Sequence, residues 1–418
     1  MLTRVEPRAF EYLLDGRQVL AVSGTNGKTT TTHLLAAAVR EDRGDKEVVT
    51  NTDGANLHYG IASALCKDLS APVAVLETDE RVVSDMIKFG KPAVLVFLNF
   101  SRDQLDRHHE IKSLAKSWRT ALEQAGAEGP VVVGNAADPL VVWAAELAHS
   151  TVWVDTATKW NEDSALCPNC GAMLVTDTQA VPGLRSGAAE PVQPNTTPAT
   201  AGSTAWRCPN CGLHKPETEY GVVGNEIRLP DGQLVDPKLQ VPGYFNLSNA
   251  ACALAAAATY GVDVPVAIRG MRKVTAPAGR FATAKIGSSQ ARLILAKNPA
   301  GWAEALPIAQ SEPVVLAIDS VAADGKDVSW LWDVPYERLA GRHVICTGPR
   351  AQDLAVRLSY AGVEHEIIPD LLTAVDWCSR AKPTWENVPA PRPCEGQIID
   401  VIATYTPFQK LLKLGGLR

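Results

Sequence analysis

The sequence predicts a two-domain α/β protein that carries a small cysteine-rich insertion. Short apolar runs alternate with longer helical stretches, which is the pattern of a parallel sheet with crossover helices. A length of 418 residues suits two or three domains at about 150 residues each. We expect a first domain over 1–300, with the insertion at 160–220, and a Rossmann-like C-terminal α/β domain over 301–418.

The composition excludes several classes of protein. The formal net charge of -6 gives no overall basic field for nucleic acid, and 46% hydrophobic residues exclude global disorder. No apolar run reaches the roughly 18 residues of a transmembrane helix, and the first ten residues lack a signal-peptide core. We therefore expect a cytoplasmic protein, in which the nine cysteines are reduced, buried or metal-bound.

The elements follow from apolar runs and from breaks between them. The segment 179–204 contains four prolines among Gly, Ala, Ser and Thr, which predicts a flexible insertion. A second α/β pattern starts near Val314–Ile318. Before it, the predicted strands and helices are Gln18–Val22, Thr29–Arg40, Val73–Leu76, Ala93–Leu98, Val131–Val133 and Asn246–Tyr260.

A phosphate-binding loop is predicted between the first strand and the first helix. Glycines let backbone N–H groups surround phosphate oxygens, the helix N-terminus adds its dipole, and Lys28 adds a positive charge. Thr29 is the expected magnesium ligand. The alternative is an ordinary glycine-rich turn. The predicted nucleotide-binding residues here are Gly24, Thr25, Asn26, Gly27, Lys28, Thr29 and Thr30.

Glu77 is a second predicted magnesium ligand. It ends the strand Val73–Leu76, and a carboxylate at the carboxyl edge of a parallel sheet lies near a phosphate loop on the same edge. An acidic cap on the next helix is the alternative interpretation.

Four cysteines form a repeated Cys-Pro-Asn-Cys-Gly motif. Each copy offers two thiolates, and four sulfur ligands complete a tetrahedral zinc site with no open position for water, so we expect a structural zinc. The alternatives are two disulfides or a redox dithiol. The predicted ligands are Cys167, Cys170, Cys208 and Cys211.

The loop and three later segments together resemble the ATPase domain of the Mur ligases. Those segments are Asn99–His108, the stretch from Gly243 to Asn249 and Gly279-Arg280-Phe281. The resemblance implies ATP as the nucleotide, Asn246 and Asn249 on its adenine side and Arg280 at its phosphates. Trp118 falls near the family's carbamylated lysine, and only about twenty residues precede the loop, so we expect no uridine-nucleotide domain.

The cysteine module and a C-terminal segment narrow the resemblance to the ligase-like subunits of lipid II isoglutaminyl synthases. The segment Asp324–Asp333 resembles their D-G-x-D-x-S-W-x-W-D signature. The resemblance implies a heterodimer with a GatD-like glutaminase, whose Cys-His pair is completed by an aspartate of this chain. Asp333 is the first choice, with Asp327 and Asp324 as alternatives. Helix capping is the structural alternative for Asp333.

The implied reaction is ATP-dependent amidation of the D-glutamate α-carboxylate of the lipid II stem peptide, through an acyl phosphate. None of the remaining five cysteines sits on a glycine-flanked turn that would activate it, so ammonia must come from a partner or from solution. The lipid-linked substrate implies action at the inner face of the membrane. The alternatives are an amino-acid-adding Mur or folylpolyglutamate-type ligase and a nucleotide-gated scaffold.

Overall fold

The computed structural model describes residues 6, 8–51, 54–101, 110–157, 165–176, 205–241, 243–275, 281–321, 324–376 and 398–417. The chain divides into two compact units, which meet in sequence between Thr275 and Ala276. Each unit has its own sheet and its own buried core. This agrees with the predicted α/β class.

The first unit is built on a nine-stranded sheet in the order β11-β10-β9-β6-β5-β4-β1-β3-β2. The strands from β1 to β6 and the β6–β9 pair are parallel, while β9, β10 and β11 are antiparallel. The strands are β1 Gln18–Ser23, β2 Val48–Thr50, β3 Val73–Glu77, β4 Val94–Phe97, β5 Val131–Asn135, β6 Ser150–Asp155, β9 Tyr220–Val223, β10 Glu226–Arg228 and β11 Leu234–Val235.

Helices cover both faces of this sheet, as expected for parallel strands that are apolar throughout. The short helix α4, Val83–Asp85, continues into a π-helical turn at Met86–Gly90. The helices are α1 Ala9–Leu14, α2 Lys28–Arg43, α3 His58–Leu65, α4 Val83–Asp85, α5 Glu110–Ala125, α6 Pro139–Ala145, α7 Tyr244–Tyr260 and α8 Val264–Met271.

The two faces have separate cores. One is formed by α2, α7 and α8, and the alanine-rich stretch Ala250–Ala257 of α7 is buried all round. A helix that is apolar on every side can be buried completely. Its small alanine side chains let neighbouring elements approach it closely. The other core contains side chains from α1, α3, α5 and α6.

The cysteine module is attached to the first unit. Its two short strands, β7 Val175–Thr176 and β8 Trp206–Arg207, are antiparallel. The Trp206 ring is buried, and its Nε1 donates to the carbonyl of Ala136 at 3.1 Å. Lys215 Nζ lies 2.8 Å from Asp155 Oδ2. The predicted flexible segment 179–204 lies outside the described residues.

The second unit has a six-stranded sheet in the order β12-β13-β17-β14-β15-β16. All neighbours are parallel except the β12–β13 hairpin. The strands are β12 Phe281–Ile286, β13 Ser289–Leu295, β14 Val314–Ala317, β15 Val344–Thr347, β16 His365–Ile367 and β17 Ile398–Ala403. The helices are α9 Pro299–Ala305, α10 Ala351–Tyr360, α11 Leu371–Val375 and α12 Tyr405–Leu414.

The two compact units divide earlier in the chain than the predicted boundary of 300/301. Strand β13 pairs with β17 from Gln290 to Leu295, so the hairpin at 281–295 belongs to the C-terminal sheet. The hairpin lacks the continuous run of apolar residues from which the central strands of the first unit are predicted. Within the described parts of the chain, no helix is long and apolar enough to cross a membrane.

Candidate active site

The predicted phosphate loop lies at the carboxyl edge of the first sheet. It connects β1 to α2, and β1 lies between β3 and β4. Both loop glycines have positive φ, +138° at Gly24 and +86° at Gly27. A Cβ on Gly24 would lie 2.9 Å from the backbone nitrogen of Asn99, and one on Gly27 only 2.3 Å from Asn249 Oδ1. Only glycine therefore fits at either position.

Lys28 is the first residue of α2, and its ammonium group folds back over the loop. Its Nζ donates to the carbonyls of Gly24 at 2.5 Å and Thr25 at 3.1 Å. It also lies 3.2 Å from Glu80 Oε1, and the two side chains are only 9% and 15% exposed. Burial raises the pKa of Glu80, against the opposing effect of the Lys28 charge.

The segment after β4 fixes the shape of the loop. Asn99 accepts from the backbone N–H of Asn26 through Oδ1 at 2.9 Å, and donates through Nδ2 to the Asn26 carbonyl at 3.0 Å. The Thr25 N–H donates to the Asn99 carbonyl at 2.8 Å. The Asn26 side chain donates to Ser101 Oγ at 2.8 Å. These bonds fix the backbone conformation of the loop.

Glu77 lies beside the loop, as the sequence predicted. It ends β3, where it is in register with Val22 of β1, and only 3% of its surface is exposed. Asn56 Nδ2 donates to its Oε1 at 3.0 Å. Asn51 bonds its main chain twice, accepting from the Glu77 N–H and donating to the Glu77 carbonyl, each at 2.8 Å.

Asn246 and Asn249 meet the loop from the N-terminal end of α7. Both are buried, and Asn249 Nδ2 donates to Asn246 Oδ1 at 3.1 Å. The side-chain oxygen Oδ1 of Asn249 faces Gly27. The structure therefore places Asn249 at the predicted loop and Asn246 in contact with Asn249. Arg280 and the motif residues 102–108 lie outside the described residues.

Trp118 lies near the position at which the resemblance to the Mur ligases implies a carbamylated lysine. It is fully buried on α5, with its ring 4.2 Å from that of Phe97 and 4.4 Å from that of Phe100, measured between centroids. Its Nε1 donates to the Glu80 carbonyl at 2.8 Å. The indole thus fixes the backbone of the residue that contacts Lys28. Lys116, two residues earlier, is exposed.

The four predicted zinc ligands converge. All four Sγ atoms lie within 4.8 Å of one another, with Cys167 and Cys211 at 3.5 Å and Cys170 and Cys208 at 3.4 Å. A tetrahedral zinc with Zn–S bonds of about 2.3 Å needs sulfurs about 3.8 Å apart. The thiols therefore fit zinc. Among the described cysteines there is no disulfide.

The two cysteine motifs have the same backbone geometry. Gly171 and Gly212 both have φ of +78°, and each donates its N–H to the carbonyl of the first cysteine of its motif. A hydrogen bond from the Asn210 side chain and one from the Ala172 backbone lower the pKa of Cys170 to about 6. Burial raises the pKa of Cys167 to about 12.

The three C-terminal aspartates differ in exposure. Asp324 is buried, and its Oδ1 accepts from the Thr406 N–H in the first turn of α12 at 2.8 Å, so it caps that helix. Asp327 is partly exposed and accepts from the Ser329 N–H at 2.8 Å. Asp333 is also partly exposed, at the end of a 3₁₀ turn that carries Trp332.

The remaining described cysteines lie outside the four-cysteine cluster. Burial raises the pKa of Cys252 to about 12 and also raises the pKa of Cys346. Cys66 is exposed at the C-terminus of α3. Cys378 and Cys394 lie outside the described residues.

Sequence reasoning missed four site residues: Asn51, Asn56, Glu80 and the loop-clamping role of Asn99. Asn51 and Asn99 each follow a buried strand, so the rule that identified Glu77 also applies to them. The Glu80 contact with Lys28 has no such signal, because it depends on the turn after β3.

The fold and the phosphate loop define a protein of the Mur ligase type. The Mur ligase middle domain matches residues 22–166, and the MurT ligase C-terminal domain matches residues 295–408. The chain therefore carries a Mur ligase middle domain followed by a MurT ligase C-terminal domain. The MurT subunit of lipid II isoglutaminyl synthase (glutamine-hydrolyzing) from Staphylococcus aureus strain COL is 29% identical over 370 residues, which cover 84% of this chain and 79% of that protein. The subunit of the same name from Streptococcus pneumoniae is 28% identical, with 86% and 80% covered.

Solved structures confirm the fold at low sequence identity. A pseudomurein peptide ligase type C from Methanothermus fervidus superposes with a TM-score of 0.63 at 16% identity, over 95% of this chain and 78% of that chain. Folylpolyglutamate synthase from Mycobacterium tuberculosis gives 0.60 at 16% identity, over 99% and 93%. These likenesses concern the fold alone.

Proposed function

We propose that this chain is the ATP-dependent subunit of a lipid II isoglutaminyl synthase, which amidates the D-glutamate α-carboxylate of the lipid II stem peptide in peptidoglycan synthesis. The observation that carries the proposal is a complete phosphate loop with Glu77 beside it, in a chain that also matches the MurT ligase C-terminal domain. The names of the relatives supply the reaction class and the glutamine-hydrolysing partner.

In this proposal the loop residues bind and orient ATP. Backbone N–H groups of Gly24–Thr30 surround the phosphates, and Lys28 neutralises charge as the γ-phosphoryl group moves from ATP to the substrate carboxylate. The bond between the β- and γ-phosphates breaks, and ADP and an acyl phosphate result. Asn246 and Asn249 lie on the adenine side, and Arg280 at the phosphates. Ammonia then attacks the acyl phosphate, and phosphate leaves as the C–N bond of the amide forms. Holding both reactants in one site supplies much of the rate.

Thr29 and Glu77 would hold magnesium. Hydroxyl and carboxylate oxygens are the ligands that magnesium prefers, and Asn56 already orients one Glu77 oxygen. Bound there, magnesium would offset negative charge on the phosphates. Zinc in the four-cysteine cluster has no open position, so its proposed role is structural.

A glutaminase subunit is the proposed source of ammonia, in a heterodimer. Asp333 is the proposed residue that orients the partner's catalytic histidine, with Asp327 as the alternative. Asp324 is the least favoured of the three candidates, because its carboxylate caps α12. Action at the inner membrane face follows from a lipid-linked substrate.

Exposed aromatic side chains beside Asp333 support a docking surface there. Trp332 is 52% and Tyr360 77% exposed, with their rings edge to face at 5.2 Å. The Arg357 guanidinium lies 5.6 Å from the Trp332 ring, and its Nη2 donates to the Val334 carbonyl at 2.9 Å. Trp, Tyr and Arg are the residues most enriched at the energetic centres of protein interfaces.

The test is ATP turnover by the purified chain with lipid II and ammonium. We expect ADP, phosphate and an amidated product in equal amounts, with no dependence on an added amino acid. If an amino acid replaces ammonium, the chain is an amino-acid-adding ligase. If the chain binds nucleotide but turns over ATP under none of these conditions, the scaffold interpretation replaces the proposal.

Asp333→Asn tests the partner role separately. With the glutaminase subunit present, we expect glutamine-dependent amidation to fall by about 10²-fold or more, because the partner's imidazole loses its orienting carboxylate. Amidation with free ammonium should be unchanged. Asp353→Asn, on the nearby helix α10, is the matched control. Unchanged glutamine hydrolysis in Asp333→Asn would transfer the role to Asp327.

A further inference from the structure

Lys28 has no donor left for a phosphate in this structure. An ammonium group has three N–H donors, and they are directed to Gly24 O at 2.5 Å, Thr25 O at 3.1 Å and Glu80 Oε1 at 3.2 Å. A nucleotide phosphate can therefore bind Lys28 only if at least one of these contacts is released.

Glu80 is the contact that a nucleotide would displace. It is the longest of the three, and it is the only one made by a side chain, whereas the two carbonyls belong to a loop held by Asn99. It is also the only charged acceptor, so its carboxylate repels the phosphates that Lys28 attracts.

The surroundings keep Glu80 in place. Its carbonyl accepts from Trp118 Nε1 at 2.8 Å, and that indole is packed between Phe97 and Phe100. The Glu80 side chain is 15% exposed, so the ion pair is poorly screened by water.

We propose that Glu80 is a positioning residue that holds Lys28 while the loop is empty and releases it to the nucleotide phosphates. It competes with the nucleotide for one ammonium group, and it therefore weakens nucleotide binding while it orders the empty loop. This inference rests on the proposed use of ATP, and it adds a residue outside the predicted site.

Glu80→Gln tests the competition by direct nucleotide binding. The amide retains the shape of the side chain but removes the charge, so we expect the Kd for MgADP to fall about tenfold. The KM for ATP should fall with it, while kcat changes little. The nucleotide-free variant should unfold at a lower temperature, and saturating MgADP should raise its Tm more than in the wild type.

Glu80→Asp and Asp85→Asn complete the experiment. Asp keeps the charge but shortens the reach to Lys28, so its Kd should lie between those of wild type and Glu80→Gln. Asp85→Asn removes a carboxylate five residues away that pairs with His58 at 2.8 Å, and its Kd should equal that of the wild type.

The results separate this inference from the proposed function. A Kd for Glu80→Gln equal to or higher than that of the wild type overturns the competition, even if ATP-dependent amidation proceeds normally. A wild-type chain that binds no MgADP and no MgATP contradicts the proposed function itself. If Glu80→Gln fails to fold, a wild-type Kd in Glu80→Asp overturns the inference.

Discussion

Asn51 is the side chain that fixes the main chain at Glu77. Its amide group makes hydrogen bonds at 2.8 Å to both the N–H and the carbonyl of Glu77, and one at 2.9 Å to the Ala55 carbonyl. It is 2% exposed, so water cannot replace these bonds if the amide is removed. The position of the Glu77 carboxylate therefore depends on a residue that touches no substrate in the proposed mechanism.

Asn51→Ala should lower the free energy of unfolding by about 2 kcal/mol, because buried main-chain groups of Glu77 lose their partners. We also expect a higher magnesium concentration for half-maximal turnover. Urea denaturation and a magnesium titration measure the two effects. Asn225→Ala removes an exposed amide and serves as the control. Equal stability of the two variants would contradict the prediction.

Lys28→Ala should reduce kcat for ATP-dependent amidation by about 10²- to 10³-fold, since the charge that develops on the transferred phosphoryl group loses its preorganised partner. Phosphate release with lipid II and ammonium measures the effect. Lys67→Ala, an exposed lysine of the same unit, is the control. A loss below tenfold would show that Lys28 does not act on the transferred group.

Local motifs identify only those site residues whose role depends on their neighbours in the sequence. Lys28 was predictable because its loop is contiguous, and Glu77 because it ends a strand on the same sheet edge. The Asn51–Glu77 and Lys28–Glu80 contacts span 26 and 52 residues. Their geometry is set by strand register and by the turn after β3, which a single sequence does not encode in any local pattern.

At the scale of elements, the apolar runs predicted the central parallel strands well. The predicted strand Val73–Leu76 is observed as Val73–Glu77, and the predicted helix Asn246–Tyr260 begins two residues earlier, at Tyr244. The strands that were missed include short strands such as β2 and β10, but also the six-residue strands β6 and β17, which lie inside their sheets. β10 has a single buried side chain, that of Ile227, and such a strand has no period that can be recognised.

The cysteine module is the element whose stability we expect to depend on metal. Its strands β7 and β8 are two residues each, too short for an independent hairpin. Cys208→Ser should therefore reduce bound zinc from one ion per chain to less than one tenth and lower the Tm, because metal binding contributes directly to folding at such sites. Elemental analysis and thermal unfolding measure both.

Cys66→Ser is the matched control, since Cys66 is exposed and lies outside the cluster. It should keep full zinc content and the wild-type Tm. Zinc-free wild-type protein that retains both its Tm and its four reactive thiols would contradict the structural role of the metal.

At the scale of the whole molecule, the sequence predicted two α/β domains but placed their boundary at 300/301. The β12–β13 hairpin joins the C-terminal sheet through β17, a strand about a hundred residues further along the chain. Its alternating and partly polar strands resemble a connecting segment. Assignment of this hairpin needs the long-range pairing, which only the folded chain supplies.

The docking surface predicts a variant that separates the two proposed activities of the heterodimer. Trp332→Ala should weaken association with the glutaminase subunit by about 2 kcal/mol or more, as expected for a central aromatic anchor. Amidation with free ammonium should remain at the wild-type level. Analytical ultracentrifugation and the two activity assays measure this.

Tyr12→Ala is the control, because Tyr12 is an aromatic residue of equal exposure on the first unit. It should leave association unchanged. Undiminished association of Trp332→Ala would place the partner on another surface.

The antiparallel pairing of β7 with β8 has a practical consequence. Val175 is paired with Arg207, so the chain leaves the cysteine module and returns to it at neighbouring points. The closure entropy of a connection with fixed ends grows only slowly with its length. A fluorescent label or an affinity tag inserted within 179–204 should therefore leave nucleotide binding intact, and would provide an attachment point for single-molecule measurements on the assembled enzyme.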